Sequence, residues 1–524
     1  MSAEPKEMSF SANAVLSVFA WFVPALTALI TVPVTVRGLG ADAYGLLALV
    51  TALTGYLGLM ELGLGTAIIR YLSYYRALNQ GRPMVGIVRF ATVWFGIAGV
   101  VGGVLLFTGA HWLAHSLLKV PPEMTATAVA VIRITAFGFL AGMLVSVGSA
   151  IPQSFLRYDV SAVMTIVFGV LGSAGPAVLV LTGHGLVVVV AFGVLTDVVA
   201  VCFYVWIAVR LFKPIDKSVG PTWRSIRRET LKFAGITALN QVHAVIASQT
   251  SRVVVGAASG VAAAAYFQVP YMLASRVNSM LARVAQVVFP TATGMQARDD
   301  AEGVKALYVR TSRLFFVING SVTMAMCALA YPLLRFWVSP KYAQEGAVAL
   351  AVFSLAGAIN ATTMSASNIN LSAVRPGVNL AFSLANSVIT LATVYPLTVR
   401  WGVAGASVAG LLGAATVPVF FWFVHRNVIH VSSVRIWRVC YQPTFVGNVA
   451  IGAATFFLVA PRIGGLLAAL IAFMGAAGAG LVVSGLLGAI KREDIRSAKA
   501  LLHRSLRRRT VGPPSPGQSA GGTP

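Results

Sequence analysis

Residues 185–210 read GLVVVVAFGVLTDVVAVCFYVWIAVR, an apolar run with one acid, Asp197, and its first basic residue, Arg210, at the very end. A helix rises 1.5 Å per residue, so about 20 such residues cross the ~30 Å hydrocarbon core of a bilayer. This block is long enough to do so, and it has no polar face for water. A second block follows at an offset of 217: residues 402–426 read GVAGASVAGLLGAATVPVFFWFVHR. Gly185 then meets Gly402, Gly193 meets Gly410, and Phe203 meets Phe420. In both blocks an aromatic run (Phe203-Tyr204-Val205-Trp206 and Phe420-Phe421-Trp422-Phe423) precedes a basic residue. At an offset of 218, Arg157 and Val160 meet Arg375 and Val378, and at 222 Tyr44 meets Tyr266. Nearly constant offsets in chain order indicate an internal repeat of six spans. An even number of spans preserves orientation, so the two copies are related by a pseudo-two-fold axis along the membrane normal.

The rest of the 524 residues agrees. Hydrophobic residues make up 57% and charged residues only 10%, where a soluble chain carries about a quarter. Apolar blocks centre near residues 25, 55, 97, 137, 170, 197, 242, 274, 322, 357, 388, 413, 449 and 476. The expected fold is an all-α integral membrane protein of about 14 transmembrane helices, two six-helix lobes plus two C-terminal helices. The expected divisions are a first lobe over 1–212, a cytoplasmic linker over 213–229, a second lobe over 230–428, and two extra helices over 439–490. A basic amphipathic helix over 491–510 would lie on an anionic membrane surface, and a Gly/Pro/Ser-rich disordered tail would fill 511–524. Residues 14–36 read as a first membrane helix and not a cleaved signal. No loop is long enough to fold as a separate domain. Cys202, Cys327 and Cys440 are scattered and read as small buried hydrophobes.

There are 39 Lys and Arg against 15 Asp and Glu, a net charge of +24. Such an excess in a soluble chain points to nucleic acid; here membrane topology accounts for it and no nucleic-acid partner is expected. With both termini placed in the cytoplasm, 29 Lys and Arg fall in cytoplasmic segments and six in external ones, as the positive-inside rule requires.

Ionisable groups at bilayer depth are costly and mark function or pairing. Span 8 carries Gln268, Arg276, Ser279, Arg283 and Gln286 on one helical face. Two arginines there suit an anionic ligand, because a guanidinium fork binds phosphate oxygens in pairs and stays charged; pairing with Glu61 and Asp197 across helices is the structural alternative. Arg37, Arg133 and Arg252 are secondary cationic candidates, with Arg252 able to snorkel outward. Glu61 and Asp197 are candidate coupling acids or fixed partners. Polar stripes on spans 7, 10 and 11 supply candidate glycan-facing residues: Gln241, Asn360, Ser367, Asn379 and Asn386. Amides both donate and accept, which matches sugar hydroxyls. No zinc pattern, P-loop or nucleophile elbow occurs, so a transporter without metal or cofactor is expected, not an enzyme.

Several motifs carry a family resemblance. Residues 36–46 (VRGLGADAYGL), then 61–67 (ELGLGTA) with Arg70, hold a Leu-Gly-x-x-x-Tyr-Gly turn and an acid before Leu-Gly. Val255-Gly256, Gly260 to Tyr266, Phe289-Pro290 and residues 402–406 (GVAGA) continue the pattern. Over roughly residues 10–430 the chain resembles bacterial polysaccharide flippases of the multidrug/oligosaccharidyl-lipid/polysaccharide exporter superfamily. Where many members of that family have an Asp before the stretch beginning at Arg252, this chain has Ser251, so an ionic role of that Asp does not carry over. Fourteen spans are also similar to the lipid II flippases. The resemblance implies translocation of undecaprenyl-diphosphate-linked oligosaccharides across the bacterial plasma (inner) membrane by alternating access, for O-antigen, capsule or exopolysaccharide. Its implied partners are that lipid-linked substrate, membrane lipids, a polysaccharide polymerase and glycosyltransferases. Two rivals stand beside it. A cation-coupled multidrug exporter would favour an acidic or aromatic cavity, and a membrane glycosyltransferase would need large loops.

Overall fold

The computed structural model describes residues 10–285, 288–296, 298–372 and 376–489. The basic helix expected over 491–510 and the tail over 511–524 lie outside the described residues, as do the side chains of Gln241 and Arg283. Among the described residues every regular element is helical: α1 (Phe10–Leu57), α2 (Leu64–Ala77), α3 (Gly81–Trp112), α4 (Pro122–Ser154), α5 (Tyr158–Leu181), α6 (Leu186–Phe212), α7 (Trp223–Ser259), α8 (Val261–Ala285), α9 (Val288–Gln296), α10 (Ala301–Ala328), α11 (Ala330–Trp337), α12 (Pro340–Ser372), α13 (Pro376–Gly413), α14 (Val417–Val424), α15 (Ser433–Ile436), α16 (Gln442–Ala454) and α17 (Leu466–Ser484).

Among the described residues nine helices are long and apolar enough to cross a membrane, or ten if α10 and α11, bent by 68°, count as one span. Two of the nine contain a sharp break. α1 is broken at Gly40 and α13 at Trp401 and Gly402, so each is two helices joined at a kink. α7 and α8 are long but less apolar. The arrangement is compatible with fourteen crossings.

The internal repeat shows in the backbone. Gly40 has φ 81° and ψ 168°. Gly260, which joins α7 to α8, has φ 91° and ψ 165°. That region is open only to glycine, so both lobes turn between their first two spans in one conformation, 220 residues apart.

In the first lobe α3 packs on α4, α4 on α6 and α1 on α5. Leu46, Leu49, Ile68, Leu72, Phe95 and Ile132 are fully buried there. In the second lobe α12 is central, in contact with α8, α10 and α13, around Tyr266, Phe267, Val269 and Trp337. α16 and α17 lie against α10, where Ser321 Oγ donates to Asn448 Oδ1 at 3.0 Å. Lipid gives no hydrophobic reward for helix contact, so close approach depends on small residues and hydrogen bonds. Gly148 illustrates this: a Cβ there would lie 2.5 Å from Tyr204 Cβ. Apolar side chains such as Val209 and Leu467, 65% and 72% exposed, form the outward surface. Cys202 is exposed on that surface too, against the expectation of burial, while Cys440 is buried.

Candidate functional site

The two lobes meet along α1 and α2 of the first and α7 and α8 of the second. Along α7 the contact runs from end to end. Leu49 packs on Gly256, Gln249 on Gly55, and Tyr56 hydrogen-bonds Thr250. Further along, Tyr71 Oη donates to Glu229 Oε1 at 3.4 Å, Arg70 lies over the Phe233 ring at 4.2 Å, and Phe90 stacks on Trp223 at 4.7 Å.

Along α8 the contact is one-sided. Near its start Gly45 presses on the α8 backbone, where a Cβ would stand 2.0 Å from the Val261 carbonyl oxygen and 3.4 Å from the Ala265 nitrogen. Ala265 and Val269 are buried there. At 3.6 residues per turn, Arg276 lies 11 residues beyond Ala265, close to three turns, and so returns to that face. Yet Arg276, Ser279 and Met280 are exposed. On α1, Phe19, Phe22, Leu26 and Ile30 are exposed as well. The described contacts of α8 with the first lobe therefore gather at the end bearing Gly40 and Gly260, and Arg276, Ser279 and Met280 further along are exposed.

The opposite face of α8 packs on α12, with Asn278 against Gly357. Among the described residues no carboxylate pairs with Arg276; the ion pairs are Arg157–Asp159 and Lys305–Glu302. Glu61 accepts instead from the Gly65 backbone N–H, capping the start of α2, where a negative charge suits the helix dipole. Asp197 is half-buried in α6, without an ion-pair partner among the described residues.

The touching end is tied by hydrogen bonds that the sequence did not announce. Arg37 donates to the carbonyls of Phe336 (2.9 Å), Trp337 (3.0 Å) and Val338, capping the C-terminus of α11. A guanidinium is well placed on the negative end of a helix. Trp337 Nε1 in turn donates to the Leu29 carbonyl at 2.8 Å. In an unbroken helix that carbonyl would accept from residue 33, but residue 33 is Pro and has no N–H. Pro33 thus frees an acceptor in the first lobe and Trp337 of the second takes it. Trp337→Phe is expected to lose one net hydrogen bond, about 1 kcal/mol. In the Val36→Cys background, where position 36 is buried, the introduced thiol should then react roughly five times faster with a membrane-impermeant maleimide.

The other candidate cations take different places. Arg252 donates to Gln249 Oε1 at 3.2 Å and lies over the Tyr271 ring at 5.2 Å. Its Nε is buried without a partner, so it is held inward and does not snorkel. Arg133 is exposed, over the Phe107 ring at 5.1 Å.

Asn360, Ser367, Asn379 and Asn386 come together in a single cleft of about 260 Å³ between α12, α13 and the start of α14. Phe382 and Phe420 also line it. Phe420 belongs to the aromatic run that ends the second repeat, and nothing in the sequence marked Phe382. Among the described residues no three His, Cys, Asp or Glu gather into a metal-binding group.

The sequence profile of the polysaccharide biosynthesis protein family matches residues 34–349, more than half of the chain. The "Putative O-antigen transporter" of Shigella flexneri is 20% identical over 405 residues, covering 77% of this chain and 94% of that protein. Among solved structures, the lipid II flippase MurJ in an inward closed conformation superposes with a TM-score of 0.69 at 12% identity, covering 92% of this chain and 99% of that one. An inward-facing multidrug resistance MATE family transporter of the MOP superfamily gives 0.66 at 16% identity, covering 80% and 98%. At such identities the likeness speaks for the fold.

Proposed function

The chain belongs to the polysaccharide biosynthesis protein family, and on that premise we propose that it is a multi-pass membrane transporter of polysaccharide precursors, a flippase for undecaprenyl-diphosphate-linked oligosaccharides. The observation that carries this reading is Arg276, without a carboxylate partner among the described residues, on the face of α8 that seals the lobes at one end and is open at the other. The substrate has three parts, and on this reading three surfaces of the protein meet them. Arg276, with Arg283 on the same helical face by spacing, takes the diphosphate. The apolar residues exposed on α1, Phe22 and Leu26 among them, border the polyprenyl chain. Amide and hydroxyl groups of the second lobe take the glycan.

On this reading the Arg276 end of α8 faces the cytoplasm of a bacterial cell, the protein lies in the plasma membrane and both termini are inside, an orientation that the positive-inside distribution supports. The lobes then alternate between this arrangement and one parted at the Gly40 end. The glycosyltransferases that build the lipid-linked unit and a polymerase that consumes it are the partners such a transporter serves.

The test is a proteoliposome assay that follows movement of a fluorescent polyprenyl-diphosphate sugar between leaflets. Translocation dependent on the protein supports the reading. Absence of translocation, together with raised cellular resistance to cationic dyes, would assign the chain to drug export instead.

A further inference from the structure

The polar cleft of the second lobe has more definite chemistry than a generic glycan surface. We propose that it is a subsite for a single uncharged sugar ring of the transported oligosaccharide, and that it discriminates against an acidic sugar. The proposal rests on the lipid-linked oligosaccharide reading above and adds the class of sugar.

The lining decides the class. None of the described lining residues is charged. A uronic acid placed there would give up hydration around its carboxylate and meet no cation among the described lining residues, a heavy cost in a low-dielectric site. A neutral sugar needs only donors and acceptors for its hydroxyls, which the amides and hydroxyls supply. Phe382 and Phe420, ring centroids 5.3 Å apart and inclined by 70°, add apolar surface for the C–H face of a pyranose. Pockets for drug-sized ligands run from about 300 to 1,000 Å³. A cleft of about 260 Å³ falls just below that range, room for one ring and not for a chain of them.

The hydrogen bonds separate framework from recognition. α12 and α13 form an antiparallel pair with two rungs, seven residues apart on each helix. At one rung Asn379 Nδ2 donates to the Ser367 carbonyl at 3.0 Å, and Asn379 Oδ1 accepts from Asn370 at 3.0 Å. Asn379 is engaged at both ends and fixes the register. At the other rung Asn386 Nδ2 reaches Asn360 Oδ1 at 3.4 Å, with Asn360 exposed and Asn386 half-buried. That bond is long against the usual 2.9–3.0 Å, so a sugar hydroxyl can replace it at little loss. Gly413 keeps this rung open on the α13 side, since a Cβ there would lie 2.2 Å from Thr390 Oγ1 and 2.8 Å from Asn386 Oδ1. Asn360 is three residues past Gly357, where α12 meets Asn278 of α8, and Arg276 is two residues before that same contact. The cleft and the cation therefore sit at similar depth, as one lipid-linked headgroup requires.

The experiment measures binding of three lipids to the full chain in nanodiscs: bare polyprenyl diphosphate, the same lipid bearing one N-acetylhexosamine, and the same lipid bearing one hexuronic acid. The neutral sugar is expected to tighten binding roughly 30-fold over the bare lipid, the worth of about two net hydrogen bonds, and the acid sugar is expected to give no gain. The double variant Asn360→Ala/Asn386→Ala should lose the gain while binding the bare lipid as the parent does, which also shows that it is folded. Asn379→Ala, in the framework rung, should lower thermal stability. Binding of the bare lipid with no gain from the neutral sugar overturns the subsite and leaves the flippase reading standing. An equal gain from the acid sugar, or a gain that survives in the double variant, overturns it too. Failure of all three lipids to bind overturns both.

Discussion

Arg276→Ala is expected to cut translocation of a diphosphate-linked lipid by roughly 10- to 100-fold while the protein remains folded and inserted. The size follows from the geometry. Arg276 is exposed and, among the described residues, has no carboxylate partner, so its removal leaves no orphaned acid and costs little stability. What it removes is a charge-assisted interaction with phosphate, worth ~1.5–3 kcal/mol, and each 1.4 kcal/mol is about tenfold. Lys keeps the charge but loses the two-pronged geometry, so Arg276→Lys should fall between parent and Ala. Arg283→Ala, about two turns further along α8 on the same face, should behave alike. The proteoliposome assay reads all three, with Arg133→Ala as the control: Arg133 is also an exposed guanidinium, but it rests on a ring of its own lobe. Normal translocation in both Arg276→Ala and Arg283→Ala would remove the diphosphate role.

How much of this was legible in the sequence depends on whether a feature is periodic or tertiary. Apolar blocks such as 186–212 specify a spanning helix by length alone, and the repeat is visible because it recurs in register. The cleft was legible for a similar reason: Asn360 and Ser367, like Asn379 and Asn386, are spaced by two turns, and polar residues repeated at that spacing in an apolar helix must share a face. Arg37 was not legible. Its partners, the carbonyls of Phe336, Trp337 and Val338, lie about 300 residues away, and carbonyl groups leave no trace in composition. A proline within a span marks a kink, whereas the larger effect of Pro33 is the acceptor it leaves for Trp337. Glu61 was weighed as a coupling acid because it is an acid within a span. In the structure the chain leaves helical geometry at Leu62 and Gly63, and the carboxylate finds the Gly65 N–H of the helix that restarts there. A single acid beside two glycines is a capping pattern as much as a charge pattern.

Gly45→Leu is expected to have the largest effect on conformation. A Cβ at Gly45 would stand 2.0 Å from the carbonyl oxygen and 2.8 Å from the carbonyl carbon of Val261. Those are backbone atoms, so no rotamer change relieves the overlap, and α8 must move away from the first lobe. The contact lies at the closed end, beside the Arg37 and Trp337 ties, so the substitution penalises the state in which that end is shut. Overpacking of this kind costs about 1–3 kcal/mol or more, enough to shift the two-state balance by roughly 5- to 100-fold. The reporter is Val36→Cys in a background free of Cys202, Cys327 and Cys440. Position 36 is buried, at 1% exposure, so its thiol should change from protected to reactive toward an impermeant maleimide, and translocation should nearly stop. Gly96→Ala, on α3 with nothing within 4 Å of the added methyl, should change neither. A lower melting temperature with the reporter thiol still protected would mean that the lobes are welded at this end, and alternating access would then need a different hinge. A reactive thiol with an unchanged melting temperature means that the closed end is a gate whose shut state is held by contacts small enough for a single leucine to undo.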